Sequence, residues 1–365
     1  NKHIKKKEVT AMSVIMRREI KNFLKRPLFW IGVFIVVLGV FQDVRPYLGI
    51  SYVSSDKEIS LNTPSTIDDA DITDGYIPTN EEDRRKMWEE GIQKNLVSEF
   101  EMGQEEAEAV IEEMKGMDIQ EACEYLETKY HYYNALYAYE DTELHQGTAE
   151  EINSYIKSKL KSHRFSYYFS RKYADFSGLY MGFFAAVMLA ALFWQDTRKN
   201  TYELLHTKPV RAGQYVIGKA AGGFLVCLIV LAILNLIFWA ACCIFTKGSG
   251  FEVNLMDFLA ATGLYILPNM LMIVCVYGLI SLLFKNPLPA VPFLILYMVY
   301  SNAGGRNAEG VYGYYGRPLA IMVRFPGRFF DTVSPPMVLL NQSFLILAAI
   351  GIILICIQLW KRRRM

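Results

Sequence analysis

Long apolar blocks alternate with polar ones along this chain. Mostly apolar runs extend from Leu28 to Phe41 and on to about Ile50, then from Phe176 to Trp194, Gly218 to Phe245, Leu255 to Phe284, Leu288 to Tyr300 and Phe344 to Trp360. About 20 helical residues cross the hydrocarbon core of a bilayer, so the blocks predict an all-α polytopic membrane protein with six transmembrane helices. Six crossings leave both termini on one side. The fifth run is the shortest, and Pro287, Pro289 and Pro292 cluster at its start. Ahead of the first run, Met12, Ile15, Met16, Ile20, Phe23 and Leu24 recur at helical spacing opposite Arg17, Arg18, Lys21 and Lys25, and Pro27 ends the pattern. Such a helix lies in the membrane interface, basic face to the headgroups; an ordinary cytosolic helix packed on protein is the bland alternative.

Charge orients the blocks. Lys5 to Lys7, Arg17, Arg18, Lys25, Arg26, Arg198, Lys199, Lys208, Arg211, Lys219, Lys285 and Lys361 to Arg364 all fall on one side of the six-span scheme. By the excess of Lys and Arg in cytoplasmic loops, that side, with both termini, is cytosolic. Net charge is only +1, yet residues 46 to 170 hold about 27 acidic and 11 basic side chains, roughly −16, which leaves roughly +17 for the remainder. The acidic block therefore lies outside and is large enough to be a small domain. Thr79-x-x-Glu82, Asp118-x-x-Glu121 and Thr148-x-x-Glu151 read as capping boxes, with Gly103, Gly116 and Gly147 between helical runs. They predict a mainly helical ectodomain, with Ser54 to Asn80 as a linker or small extended piece. The resulting division is a cytosolic tail and amphipathic helix over 1–27, a first span over 28–46, the extracytoplasmic domain over 47–170, and spans two to six over 171–365. No small-residue cleavage pattern follows the first apolar run, so it is expected to stay as an anchor. Cys123 alone lies in the ectodomain, which excludes a disulfide framework within it.

The segment Gln195 to Lys219, QDTRKNTYELLHTKPVRAGQYVIGK, is a polar island between two apolar runs. A short helical stretch from Thr201 to His206 is broken by Pro209 and turned through Arg211 to Gly213. Within it, Gly213 to Ala220 fits the spacing of a phosphate-binding loop except that Ala220 stands where a magnesium-ligating Ser or Thr belongs. No strand precedes it and a membrane run follows, so nucleotide binding is rejected. No catalytic residue and no cofactor site is expected in this chain. Tyr-Glu-Leu-Leu followed by a Thr-x-Pro-Val-Arg turn and Gly-Lys resembles the loop after the second span of type-two ABC transporter permeases, with Asn200 where the family usually has Gly and Gln195-Asp196 in place of a Glu-Arg lead-in. The resemblance implies that 195–219 is a coupling segment docking into a separate ATP-binding subunit through Thr201, Tyr202, Glu203, Leu204, Leu205, Thr207, Pro209 and Arg211. It also implies that ATP and magnesium belong to that partner, that the N-terminal amphipathic segment is the family's elbow helix, and that the large ectodomain marks a subgroup.

Other features carry weaker signals. Gly178-x-x-x-Gly182 and Gly218-x-x-x-Gly222 permit close helix approach, within the chain or across a subunit interface. Asn235 and Asn269, beside Pro268, either line a path or bond between helices. Asp175 and Asp257 lie at span edges, which counts against a proton- or sodium-coupled carrier. Residues 302–342 are too rich in Gly and Pro for one helix; Pro318 to Val323 and Val333 to Leu340 are expected as two short helices dipping back into the outer leaflet. Arg306, Arg317, Arg324 and Arg328 in this loop run against the charge trend, and pairing with the acidic ectodomain or with lipid phosphates would account for them. His131, His145 and His163 lack a ligand spacing, so no metal site is expected. Tyr130, Tyr132, Tyr133, Tyr137 and Tyr139 read as helix packing or headgroup anchors, and Phe165 to Phe169 as an interfacial belt. The proline-free run from Thr148 to about Trp194 predicts one long helix.

The reading is a permease subunit of an ABC exporter in a bacterial plasma membrane, paired with a second permease and with ATP-binding subunits, in contact with lipid and with no nucleic-acid partner. The expected solute is an amphiphile such as a peptide, antibiotic or lipid, although related systems with an ectodomain are also linked to ion export. The alternative is a membrane receptor or sensor whose ectodomain binds a ligand and which has no ATPase partner.

Overall fold

The computed structural model describes residues 2–55, 59, 71–191, 194, 210–303, 305–306, 312–313, 317–325 and 327–364. They form two compact units, one of Ile50–Lys159 and one of Asn1–Gly49 with Leu160–Met365. In the second of these, α1 (Lys2–Leu24) leads through Arg26, in extended backbone, to α2 (Pro27–Leu48), with Pro27 at a position whose N–H has no intrahelical partner. Phe29, Val33, Val36, Val40, Val44 and Tyr47 form the buried stripe of α2, while Leu28, Ile31, Phe34, Ile35 and Leu38 are exposed. A helix apolar on its exposed side as well as its buried one is built for lipid.

The unit Ile50–Lys159 is a small helical domain. Strand β1 (Tyr76–Pro78) precedes α3 (Glu81–Ser98), α4 (Gln104–Met114), α5 (Ile119–Tyr130) and α6 (Ala135–Asp141), and β2 (Leu144–Gln146) pairs antiparallel with β1, Ile77 opposite His145, before α7 (Ala149–Ser162). Its core takes Trp88, Ile92 and Leu96 from α3, Ala107, Val110 and Met114 from α4, and Ala122 and Leu126 from α5. Burying each large side chain of that set contributes about 1.5–3 kcal/mol. The buried indole of Trp88 donates to the carbonyl of Ala135 at 2.8 Å, so its polar edge is satisfied. The capping box at Asp118 and Glu121 is present, and Thr148 and Glu151 bond reciprocally. The box expected at Thr79 falls one residue later: Asn80 is the cap of α3 and accepts from the Asp83 N–H.

The chain returns through α8 (Phe165–Met188), α9 (Ala212–Phe245), α10 (Leu255–Ala261), a π-helical turn (Thr262–Ile266), α11 (Leu267–Phe284), α12 (Ala290–Asn302), the two-residue strands β3 (Gly305–Arg306) and β4 (Tyr312–Gly313), and α13 (Val338–Arg364). The single helix expected over 148–194 is not found. It breaks at His163 and Arg164, between α7 and α8, and Arg164 has extended backbone. The break is fixed by a side-chain knot: Asp257 accepts from Arg164 at 3.2 Å and from the Ser166 hydroxyl, and that hydroxyl accepts the Asn254 N–H at 3.0 Å. From Ser166 to Ser170 the chain is continuous α-helix within α8.

Among the described residues four helices are long and apolar enough to cross a membrane, Pro27–Leu48, Ala212–Gly248, Leu255–Phe284 and Val338–Arg362. Of the six expected crossings, the second and fifth lack that signature, because α8 carries Arg171, Lys172 and Asp175 and α12 has only 13 residues. Lipid tails are as apolar as these side chains, so close packing holds such helices together. Gly32 and Gly39 of α2 supply it, since a Cβ at either would overlap Phe184 or Tyr180 of α8.

Candidate functional site

Helix α8 buries three charged side chains. Arg171, Lys172 and Asp175 are 6%, 3% and 3% exposed. A buried charge is tolerated only with partners, and here the described chain between α12 and α13 provides them. Arg171 donates to the carbonyls of Asp331, at 3.0 Å, and Val333; Lys172 donates to those of Phe325, at 3.3 Å, and Gly327. Asp175 accepts from the guanidinium of Arg324, whose other arm reaches Asn302 at 2.7 Å. The need is mutual. A stretch without helix or sheet leaves its carbonyls unpaired, and α8 supplies donors to it from the adjacent Arg171 and Lys172.

The same loop is tied to its other neighbours. Tyr297 and Tyr300 of α12 donate to the carbonyls of Leu319 and Pro318, Ser301 accepts the Ile321 N–H at 3.0 Å, and Asn341 of α13 donates to the Ala320 carbonyl at 2.9 Å. The first of the two expected short helices, Pro318 to Val323, is therefore an irregular stretch with a single turn, because its backbone bonds to side chains of flanking helices; Val338 to Leu340 of the second is the start of α13. Arg324 pairs with Asp175, within its own unit. Arg317 donates to the Ala303 carbonyl at 3.1 Å and lies 5.3 Å from the ring centroid of Tyr300.

Near the start of α9 a second charged contact is buried. Lys219 donates to Glu19 of α1 at 2.8 Å, both side chains at most 10% exposed. Gly218 and Gly222 make room for it: a Cβ on Gly222 would stand 3.0 Å from Cβ of Glu19, and one on Gly218 would stand 3.3 Å from Ile15. The Gly-x-x-x-Gly pair of α9 thus seats α1, within the chain. Gly182 of the other pair faces Met298 of α12 and Met322 of the loop. Tyr215 stacks on Trp360 of α13 with ring centroids 3.9 Å apart. Arg211 caps α9 and is exposed, its N–H donating to the Gln214 side chain at 3.1 Å. Thr201, Tyr202, Glu203, Leu204, Leu205, Thr207 and Pro209 lie outside the described residues.

Asn235 and Asn269 are both buried, at the widened turn between α10 and α11. Thr262, which opens that turn, donates to Asn235 at 2.8 Å. Pro268 has no N–H, and the helix widens to π just before it. The Tyr265 carbonyl accepts from the side chains of Asn269, at 2.7 Å, and Gln342, at 3.4 Å. Sequence reasoning missed Arg171, Lys172, Thr262 and Gln342. Three charges within five residues, directly ahead of an apolar run, were the available signal for the first two. Of the three histidines, His145 is bonded to Thr79, His131 lies against Tyr133 and His163 against Tyr167, and no cluster of metal-ligating side chains occurs among the described residues.

No curated protein and no solved structure matches the chain. The family model described as ABC-2 family transporter protein matches residues 13–312, from the amphipathic helix α1 through β4. That stretch contains α8, the Gly-rich start of α9 and the polar segment between them. With a family match over most of its length, and with four helices among the described residues long and apolar enough to cross a membrane, the chain belongs to the ABC-2 transporter family, as a multi-pass membrane permease.

Proposed function

We propose that the chain is the permease subunit of an ABC exporter, moving an amphiphilic solute outward across a bacterial plasma membrane. Two permeases and two ATP-binding subunits form the working unit, and residues 195–219 couple them. In this reading α8 and α12 complete six crossings, both termini are cytosolic, and the loop between α12 and α13 is on the outside. The observation that supports the reading most is the build of α8. Its N-terminal half holds that loop through Arg171, Lys172 and Asp175, and the chain beyond its other end runs into the polar segment.

Closure of the ATP-binding pair would push the two coupling segments together, and a helix is stiff enough along its axis to carry such a displacement. The loop, hydrogen-bonded to α8, would follow it, so that a cavity open inward becomes one open outward. Buried packing has discrete arrangements, which makes this a switch between two states.

The test is a purified complex of the permease with its ATP-binding subunit in lipid nanodiscs. Glu203→Ala combined with Leu205→Ala is expected to abolish solute-stimulated ATP hydrolysis while the yield and assembly of the permease stay unchanged. Normal stimulation by that double variant, or the failure of any ATP-binding subunit to copurify with the native chain, would sink the assignment.

A further inference from the structure

Helix α13 presents two different faces near its end. On one, Cys356 and Trp360 are buried in a cluster with Ala212, Tyr215 and Val216 of α9, and Trp360 stacks on Tyr215. A Trp at a span end ordinarily anchors at the headgroups; here its ring packs on protein and fixes how the helix is turned. On the other face an open recess of about 310 Å³ is lined by Leu354, Ile355, Gln358, Leu359 and Arg362. With Gly351 these residues fall at i, i+3, i+4, i+7, i+8 and i+11, a single helical stripe. Nothing stands within 4 Å of a Cβ placed on Gly351, so the stripe begins in a notch.

Length and polarity describe what fits. Gly351 to Arg362 rises roughly 16 Å at about 1.5 Å per residue, and one leaflet is half of a hydrocarbon core of about 30 Å. The stripe is therefore one leaflet long. Leu354 and Ile355 are exposed and apolar, Gln358 follows with an amide, and Arg362 ends the span within the basic run Lys361 to Arg364. Gln358 and Arg362 are both exposed and have no hydrogen-bond or ion-pair partner among the described residues, so their donors are available.

We infer that this recess holds one anionic phospholipid. An acyl chain lies along Leu354, Ile355 and Leu359 into the notch at Gly351. The phosphate meets the guanidinium of Arg362, a planar fork that donates to two oxygens at once, and the Gln358 amide, one turn deeper, donates to a glycerol ester carbonyl. A zwitterionic lipid carries the same phosphate, but its own cation competes with Arg362 and is repelled by the basic run, so net negative charge is selected. A second copy of this chain is a poor occupant, because a self-complementary contact would bring two runs of Lys361 to Arg364 together. Lipid binding here needs neither an ATP-binding subunit nor a transported solute, so it stands or fails apart from the exporter reading.

The experiment uses the full permease in nanodiscs of phosphatidylcholine, doped with phosphatidylglycerol or phosphatidylcholine carrying the same mid-chain diazirine. Illumination is expected to attach the phosphatidylglycerol probe within residues 351–359, read by peptide mass spectrometry. It should attach about fivefold more than its phosphatidylcholine counterpart, the factor that one Lys or Arg contributes beside an anionic surface. Arg362→Gln should abolish that preference, while Arg362→Lys keeps most of it. Lys25→Gln, the same loss of charge just ahead of α2, should leave it unchanged, which separates a site from a diffuse basic surface. Both substituted positions are exposed, and the comparison of the two probes on the native chain needs no variant. Equal attachment of the two probes, attachment as strong at Phe34 and Leu38 on the exposed side of α2, or an equal loss of preference in Lys25→Gln would overturn the assignment. So would a quantitative disulfide-linked dimer through Ile355→Cys in a chain otherwise free of cysteine, which would make this face a subunit interface.

Discussion

Asp175 and Arg324 are a buried pair with a part-exposed cation, 4% and 26% for their side chains, and what each substitution costs depends on what it leaves behind. Removing one partner strands the other charge in a dry setting, at about 3–5 kcal/mol, whereas removing both strands neither. We expect Asp175→Asn and Arg324→Gln each to lower the melting temperature of the purified permease, and the double variant to lose clearly less than the sum of the two. Additive losses would show that the two groups do not interact. A second residue-scale expectation concerns Glu151, whose carboxyl is held below the usual range by the Thr148 N–H and hydroxyl. A carboxyl depressed in the folded state stabilises the helix start above its unfolded value and loses that contribution as pH falls through the folded one. Hydrogen exchange at the Thr148 amide, corrected for intrinsic rate, should show protection at pH 6 that is lost toward pH 3, and Glu151→Gln should flatten the difference. Equal protection in both would remove the cap from the account.

At the scale of elements, what the sequence discloses depends on whether a contact is local. The caps at Asp118 and Thr148 rest on residues three apart, and they are where the pattern places them. The break between α7 and α8 rests on Asp257, some ninety residues beyond Arg164 and Ser166, and no propensity could register it. The loop after α12 is the same case, because its shape is dictated by donors on α8, α12 and α13. The polar segment 195–209, the strongest family signal in the sequence, lies outside the described residues, so the candidate contact with an ATPase remains a reading of sequence. Helix packing gives a test at this scale. Gly222 lies against Glu19, while nothing stands within 4 Å of a Cβ placed on Gly351 of α13. Gly222→Leu should push α1 off α9, strain the Glu19–Lys219 pair and lower the melting temperature by several degrees. Gly351→Leu should leave it nearly unchanged. Similar behaviour of both variants would show that α1 is not seated on α9.

For the whole molecule, the segregation of charge is the argument with the longest reach. A near-neutral chain with roughly −16 in one block and +17 in the rest is a polarised object. Lys and Arg near span ends resist translocation, whereas long acidic blocks cross with little penalty. The family and the four apolar helices establish a multi-pass membrane protein; the proposed orientation adds that the unit Ile50–Lys159 is outside and the basic flanks inside. That orientation also decides which side of the bilayer α8 presents to the loop after α12, and with it whether coupling at 195–219 acts from within the cell. A cysteine-free chain carrying one cysteine at Ser154 or at Asn307 should be labelled in intact cells by a membrane-impermeant thiol reagent. Single cysteines at Asn200 and Lys361 should react only after the cells are opened. Opening matters as a control, because an unreactive cysteine can be buried as well as inside, and reaction after permeabilisation separates the two. Labelling of Asn200→Cys in intact cells would invert the scheme, place the coupling segment where no ATP is available, and remove the exporter reading with it.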